Sequence, residues 1–326
     1  MTSEAEQVAA TRAGAGARLR PEVLTIEVTG HDRVRFLNGM ISCDVERIAP
    51  DEARRAVKAN AKGRVEGILR VRVGAEAISL DVLEVSAERV ATELMRFVVM
   101  DDVQLADGTA AREVLTLLGP RAPIILAELG WPVPGRHQEV ASGDRGHVIR
   151  DDAWGLPGFE IHARGDGSGV TLMEQLAGAG VVGLSAEAFE VLRVEAGQPK
   201  DGVDVDLDTL PLEARLDDAI DHDKGCYLGQ EVIARATHRG GVKHHLVGLV
   251  LDDPVALPST GAELWPEGAE RSRGEVTSAV LSSTLGRGIA LGYLHVDYEA
   301  PGTRVEVKQG GRSLSAEVVT LPFVPA

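Results

Sequence analysis

The order of elements in this 326-residue sequence predicts an α+β protein that ends in a small β-barrel. Three observations carry that prediction. Between Arg64 and Val73, Val65, Gly67, Leu69, Val71 and Val73 alternate with Arg64, Glu66, Arg70 and Arg72, which is the period of a half-buried strand. Around that stretch the pattern runs strand, strand, helix, strand, as expected when helices cover one face of an antiparallel sheet. After Gly241 the texture changes to short apolar runs cornered by Pro254, Pro258, Gly261, Gly286, Pro301 and Gly310-Gly311, a spacing suited to a closed all-β unit of about eighty residues.

In chain order, residues 1–18 read as a mobile arm, because Ala13-Gly14-Ala15-Gly16-Ala17 offers no periodic apolar face. A strand is expected over 23–28, a turn over 29–32 and a short helix over 33–40 that turns Val34, Phe36 and Leu37 inward. Residues 55–59 and 64–73 flank a turn at Asn60-Ala61-Lys62-Gly63, and another strand follows over 77–82. A helix over 87–97 leads to strands at 103–105 and 114–118, then a helix over 123–129. The polar, Gly/Pro-rich run 131–146 reads as loop. A strand over 155–162 and helices over 172–179 and 185–195 complete this part. Ser185 caps the last helix, and Gly197 with Pro199 stops it.

The composition excludes several classes. A formal net charge of -16 repels phosphate backbones, so direct nucleic-acid binding is disfavoured. Two cysteines, Cys43 and Cys226, without a Cys-x-x-Cys pair cannot form a disulfide framework or hold a four-thiolate cluster. The sequence holds neither a secretory h-region nor the roughly 18 uninterrupted apolar residues of a membrane helix, so a cytoplasmic location is expected.

One stretch draws the chemistry together: Lys224-Gly225-Cys226-Tyr227-Leu228-Gly229-Gln230-Glu231. The residues after Gly229 read as a short helix with Val232, Ile233 and Ala236 on one face and Gly240-Gly241 as its stop. Cys226 then sits just ahead of a helix N-terminus with Lys224 nearby, a setting that favours a thiolate. A lone cysteine is equally the pattern of a small buried hydrophobe. Cys43 has no activating neighbour and reads as packing. Asp101-Asp102 suits either acid/base work or a solvated turn. His162 alternates out of a strand with no partner at metal-ligand spacing, so no metal site is expected.

The string 224–231 resembles the Lys-Gly-Cys-Tyr-x-Gly-Gln-Glu signature of YgfZ-type folate-binding proteins, relatives of the aminomethyltransferase (T-protein) of the glycine cleavage system. Residues 36–45 resemble the same family's Phe-Leu-x-Gly-x-x-x-x-Asp-Val element, residues 158–161 its Gly-x-Glu-Ile strand, and residues 193–199 its Arg-x-Glu-Ala-Gly-x-Pro element. The resemblance implies three lobes around a channel for tetrahydrofolate: two α+β lobes over 19–244 and the barrel over 245–326. It implies that Glu195 faces the pterin, that Lys224, Tyr227, Gly229, Gln230, Glu231 and Arg235 contribute to the folate site, and that Cys226 is a functional thiol. Arg239, Lys243, His244 and His245 stand in for basic residues near the folate tail. Aminomethyltransferases of the family carry Gly-Gly-Ile-x-Asp-Asp, whereas here Gly67 and Ile68 fall where the acids belong, with only Glu66 near.

These departures imply a folate-binding accessory factor for iron-sulfur protein assembly or repair, supporting iron-sulfur-dependent tRNA modification indirectly. Its partners would be iron-sulfur enzymes or assembly proteins. The alternative is a folate-dependent aminomethyltransferase or demethylase using Glu66 or Asp101. A scaffold that has lost folate is the third.

Overall fold

In the computed structural model, residues 2–238 and 241–325 are described, and the expected arm is the first correction. Ser3 accepts a hydrogen bond from the Glu6 N–H (3.3 Å) and donates its own N–H to Glu6 Oε2 (2.7 Å). This complete capping box starts helix α1 (Glu4–Ala13), which buries Val8 and Thr11. The small residues after it are needed for close approach rather than flexibility. A Cβ on Gly16 would lie 2.1 Å from Thr11 Oγ1, and Gly16 opens strand β1 (Gly16–Leu19).

The first lobe holds β2 (Val23–Thr29), α2 (Arg33–Asn38), β3 (Ala53–Ala59), β4 (Val65–Val73), β5 (Ile78–Leu83), α3 (Glu84–Met95) and β6 (Gln104–Asp107). Its antiparallel sheet runs β3-β4-β5-β2-β6. Helix α3 lays Val90 and Leu94 into a core shared with Leu69, Val71 and Leu80. The second lobe holds β7 (Arg112–Leu118), α4 (Ala122–Glu128), β8 (Val140–Gly143), β9 (Gly146–Arg150), β10 (Gly158–Arg164), α5 (Ser168–Gly178) and β11 (Val182–Gly183). Its strand order is β11-β1-β7-β10-β9-β8, so β1 threads the N-terminus into the second lobe. The expected loop over 131–146 contains β8. That edge strand is half-buried to exposed and lacks the apolar alternation that would mark it in sequence.

Helix α6 (Ala186–Glu195) is buried from Ala188 onward except for the half-buried Glu190, and it packs on both α1 and the barrel. Helix α7 (Gln230–His238) follows the cysteine string as expected, with Ile233 in the core and Gly241 at φ +64° beyond it. Gly240 and Arg239 lie outside the described residues. The last strands, β12 (His244–Leu251), β13 (Glu263–Pro266), β14 (Gly274–Ser282), β15 (Arg287–His295), β16 (Arg304–Gln309) and β17 (Arg312–Val319), close into a six-stranded barrel. Val247, Leu249, Leu264, Ala290, Val305 and Val318 fill it. Closure removes the exposed edges that an open sheet would leave. No helix among the described residues is long and apolar enough to cross a membrane.

Candidate functional site

A cavity of about 250 Å³ opens where β1, β2, β4, β5, β10 and α6 converge with the segment that leaves α6. Alternation along β4 turns Ile68 and Arg70 toward it, while Gly67 faces α3. Trp154 and Phe189 supply an aromatic wall, with ring centroids 4.7 Å apart, and the Arg20 guanidinium sits 4.7 Å over the Phe189 ring. Glu190 accepts two hydrogen bonds from Arg193, at 3.0 and 2.6 Å. Burial opposes ionisation of Glu190, but the Arg193 hydrogen bonds and charge outweigh it and lower its pKa.

Charge in the cavity wall is organised in pairs. Arg70 donates to Asp151 Oδ2 at 2.6 Å and lies 3.6 Å from Glu160. Burial disfavours the Arg70 cation, but Asp151 and Glu160 more than compensate and raise its pKa. Glu160 shows the mirror case: burial opposes its charge, Arg70 and His162 outweigh burial, and its pKa falls well below the usual carboxylate range. His162 Nε2 is 2.7 Å from Glu160 and 3.8 Å from Asp81, and its ring stacks on His147 at 4.5 Å. The structure therefore gives His162 carboxylate partners that its local sequence did not suggest. The ligand atoms of Asp81, Glu160 and His162 lie within 4.8 Å of one another. Arg70 and Arg72, 3.6 and 3.5 Å from these carboxylates, already balance their charge and disfavour a metal cation there.

None of the sequence-predicted site residues lines this cavity. Glu195 is fully buried and takes hydrogen bonds from Arg12 (2.5 and 3.1 Å), Ser282 (2.5 Å) and Thr284 (3.1 Å). Its carboxylate joins α1 to the barrel and does not line this cavity. Glu190, five residues earlier and about 140° around the helix, is the α6 carboxylate that meets the cavity.

The cysteine string is a clamp. Lys224 Nζ donates to the carbonyls of Asn38, Ile41 and Cys43, each at 2.7 Å, so its charge is engaged by the 38–43 turn rather than by a ligand. Burial brings its pKa down to about 8. Tyr227 is packed in the core, where burial pushes its hydroxyl up to about 12. Gly229 has φ +84°, and a Cβ there would meet the Asn60 carbonyl at 2.4 Å. Gln230 Oε1 accepts from the Tyr227 N–H at 3.3 Å, and Glu231 pairs with Arg235 on the exposed face of α7. Cys226 is exposed beside this clamp. Cys43 is buried as expected, and burial pushes its thiol up to about 12.

The alternative acids are also engaged elsewhere. Glu66 pairs at 2.7 Å with Lys58, which has no exposed surface, and Asp101 pairs at 2.6 Å with Arg35 on a surface turn. His245 pairs with Glu299 and His244 packs on His295 at the barrel rim. The cavity residues that sequence reasoning missed are Arg20, Arg70, Trp154, Phe189, Glu190 and Asp201. The i, i+3 spacing of Glu190 and Arg193 was a legible signal for one pair. The others come from separate elements and share no local pattern.

Residues 2–224 match the family model of the GCVT N-terminal domain, and residues 244–325 match that of the glycine cleavage T-protein C-terminal barrel domain. The chain is 31% identical over 310 residues to an aminomethyltransferase of Parafrankia sp., covering 92% of this chain and 83% of the relative. It is 30% identical over 336 residues to the aminomethyltransferase of Streptomyces coelicolor, covering 98% and 89%. The crystal structure of glycine cleavage system aminomethyltransferase T from Bartonella henselae has the same fold, with a TM-score of 0.88 over 99% of this chain and 90% of that one at 24% identity. Two α+β lobes, a closed barrel and matches that extend across both mean that this chain belongs to the glycine cleavage T-protein family.

Proposed function

We propose that the cavity takes a reduced folate, tetrahydrofolate, and that the chain transfers a one-carbon unit between this folate and a small amine. The single observation carrying this reading is the cavity's lining. Trp154 and Phe189 suit flat rings, Glu190 can accept N–H hydrogen bonds, and Arg20, Arg55 and Lys200 suit a carboxylate tail. The aminomethyltransferase names of relatives aligned over most of both chains support it. Bound there, the folate would supply the nitrogen that carries the one-carbon unit; the protein's part is to orient, exclude water and handle protons.

Anaerobic titration with tetrahydrofolate, followed by tryptophan fluorescence, tests the binding half. Saturable quenching is expected, weakened about tenfold in Phe189→Ala by loss of stacking; absence of saturation up to millimolar folate overturns it. Stoichiometric methylene-tetrahydrofolate from an aminomethyl donor tests the transfer half. A second reading, upkeep of iron-sulfur proteins, draws on the exposed Cys226 in its signature string. Failure of Cys226→Ser to restore iron-sulfur enzyme activity in a deletion strain would favour it.

A further inference from the structure

Seven carboxylates line the cavity: Glu22, Asp81, Asp151, Glu160, Glu190, Asp201 and Asp218. Six of them have a cationic partner within 4 Å: Arg20, Arg72, Arg70, Arg70, Arg193 and Arg55 respectively, with Asp201 left out of the pairing. Asp201 makes no ion pair among the described residues although it is only 4% exposed. Its Oδ2 accepts from the Ile68 N–H at 3.2 Å and from Ser86 Oγ at 2.6 Å, while Oδ1 makes no hydrogen bond to the described residues. The backbone holds it in place. A bridge joins Asp201 to Val205, and the N–H groups of Val203, Asp204 and Val205 converge on the Lys200 carbonyl.

We infer that Asp201 receives the protonated amine of the substrate and accepts its proton. This rests on the one-carbon transfer reading for its place in turnover, but the amine site stands on geometry alone. A carboxylate already paired with a guanidinium gains little from a second cation, whereas a buried unpaired one gains an ion pair and a hydrogen bond together. Asp201 has one oxygen fixed by a strand amide and a hydroxyl, leaving the other for a ligand. In the step, one N–H bond of the R–NH3+ group breaks and an O–H bond forms at Oδ1. The products are R–NH2, with its lone pair free to react, and a neutral Asp201; no electrons change hands.

Asp201→Asn is the informative variant, because its amide oxygen can still accept from Ile68 N–H and Ser86 Oγ while its charge and basicity are gone. The probe is methylammonium, observed by saturation-transfer NMR, with acetamide as the neutral control. Wild type is expected to bind methylammonium, and Asp201→Asn to bind it at least about tenfold more weakly. Acetamide binding should be unchanged. With an aminomethyl donor, kcat should fall by on the order of a hundredfold or more, and the acid limb of its pH profile should disappear. Thermal unfolding checks the fold, and Asp201→Ser serves as the second carboxylate-free variant. Equal methylammonium binding in wild type and either folded variant, or none in wild type, overturns the inference. Discrimination of methylammonium by a chain that binds no tetrahydrofolate would leave Asp201's role standing and sink the folate reading instead.

Discussion

Buried charges in this protein are held by specific partners, and their removal tests each one. Glu195 has no exposed surface, and Arg12 is its only cationic partner among the described residues. Arg12→Met leaves a buried carboxylate with two hydroxyl donors, so chemical denaturation should show a loss of about 3–5 kcal/mol. His147 makes the opposite point about charge. Its Nε2 is enclosed without a partner, and burial, then His162, lower its pKa from the ordinary 6.5. The unfolded chain therefore takes up a proton as pH falls through 6.5 while the folded one does not. The stability contribution is complete above 6.5 and is lost below it, at a slope approaching about 1.4 kcal/mol per pH unit. His147→Phe keeps the stacking and removes the titration, so urea midpoints measured from pH 7 to 5 should fall less steeply in the variant.

At the scale of elements, β4 decides what the cavity can present. Gly67 is there because α3 lies against it: a Cβ would come 2.5 Å from Val90 Cγ2. Gly67→Ala should cost about 1–3 kcal/mol, measured by thermal unfolding, through overpacking against α3. An outcome near zero would mean that α3 moves away freely. The alternation that sets this was legible in the sequence, and so were α3, α6 with its Ser185 cap, α7 and five of the six barrel strands. The missing one was the second barrel strand, β13, four residues ending in Pro266 and too short for any period to show. Helix α1 was hidden differently. The Ala-Gly run drew attention as a flexible tract, while the capping box of Ser3 and Glu6 two turns earlier carried the helix signal.

For the molecule as a whole, the connections between lobes are polar and long-range. Arg193 joins α6 to Asp204 (2.6 Å) and to Ser278 on the barrel (2.8 Å), and Glu195 joins α1 to Ser282 and Thr284. Lys224 ties the cysteine string to the first lobe through three carbonyls. Lys224→Met would leave those carbonyls without their donor, with an expected loss of about 3 kcal/mol and faster proteolysis between Asp221 and Gly229. Unchanged stability would show that water replaces the ammonium and that the clamp is dispensable. The eight-residue string thus has a structural task that accounts for Lys224, Tyr227, Gly229 and Gln230 before any ligand is considered.

By itself the sequence determined the α+β class, the barrel and the family likeness, because strand alternation, turn residues and short motifs act between neighbours along the chain. It also determined that positions 67 and 68 offer no acid. Only the tertiary structure decided which charges face the cavity. Glu195 and Glu190 share one helix, yet the first is enclosed by Arg12 and two barrel hydroxyls and the second opens onto the cavity. Asp201 and Ile68 lie far apart in sequence and meet at 3.2 Å. Such pairings arise when lobes pack on one another, and the energy that selects them resides in long-range contacts that no local pattern encodes.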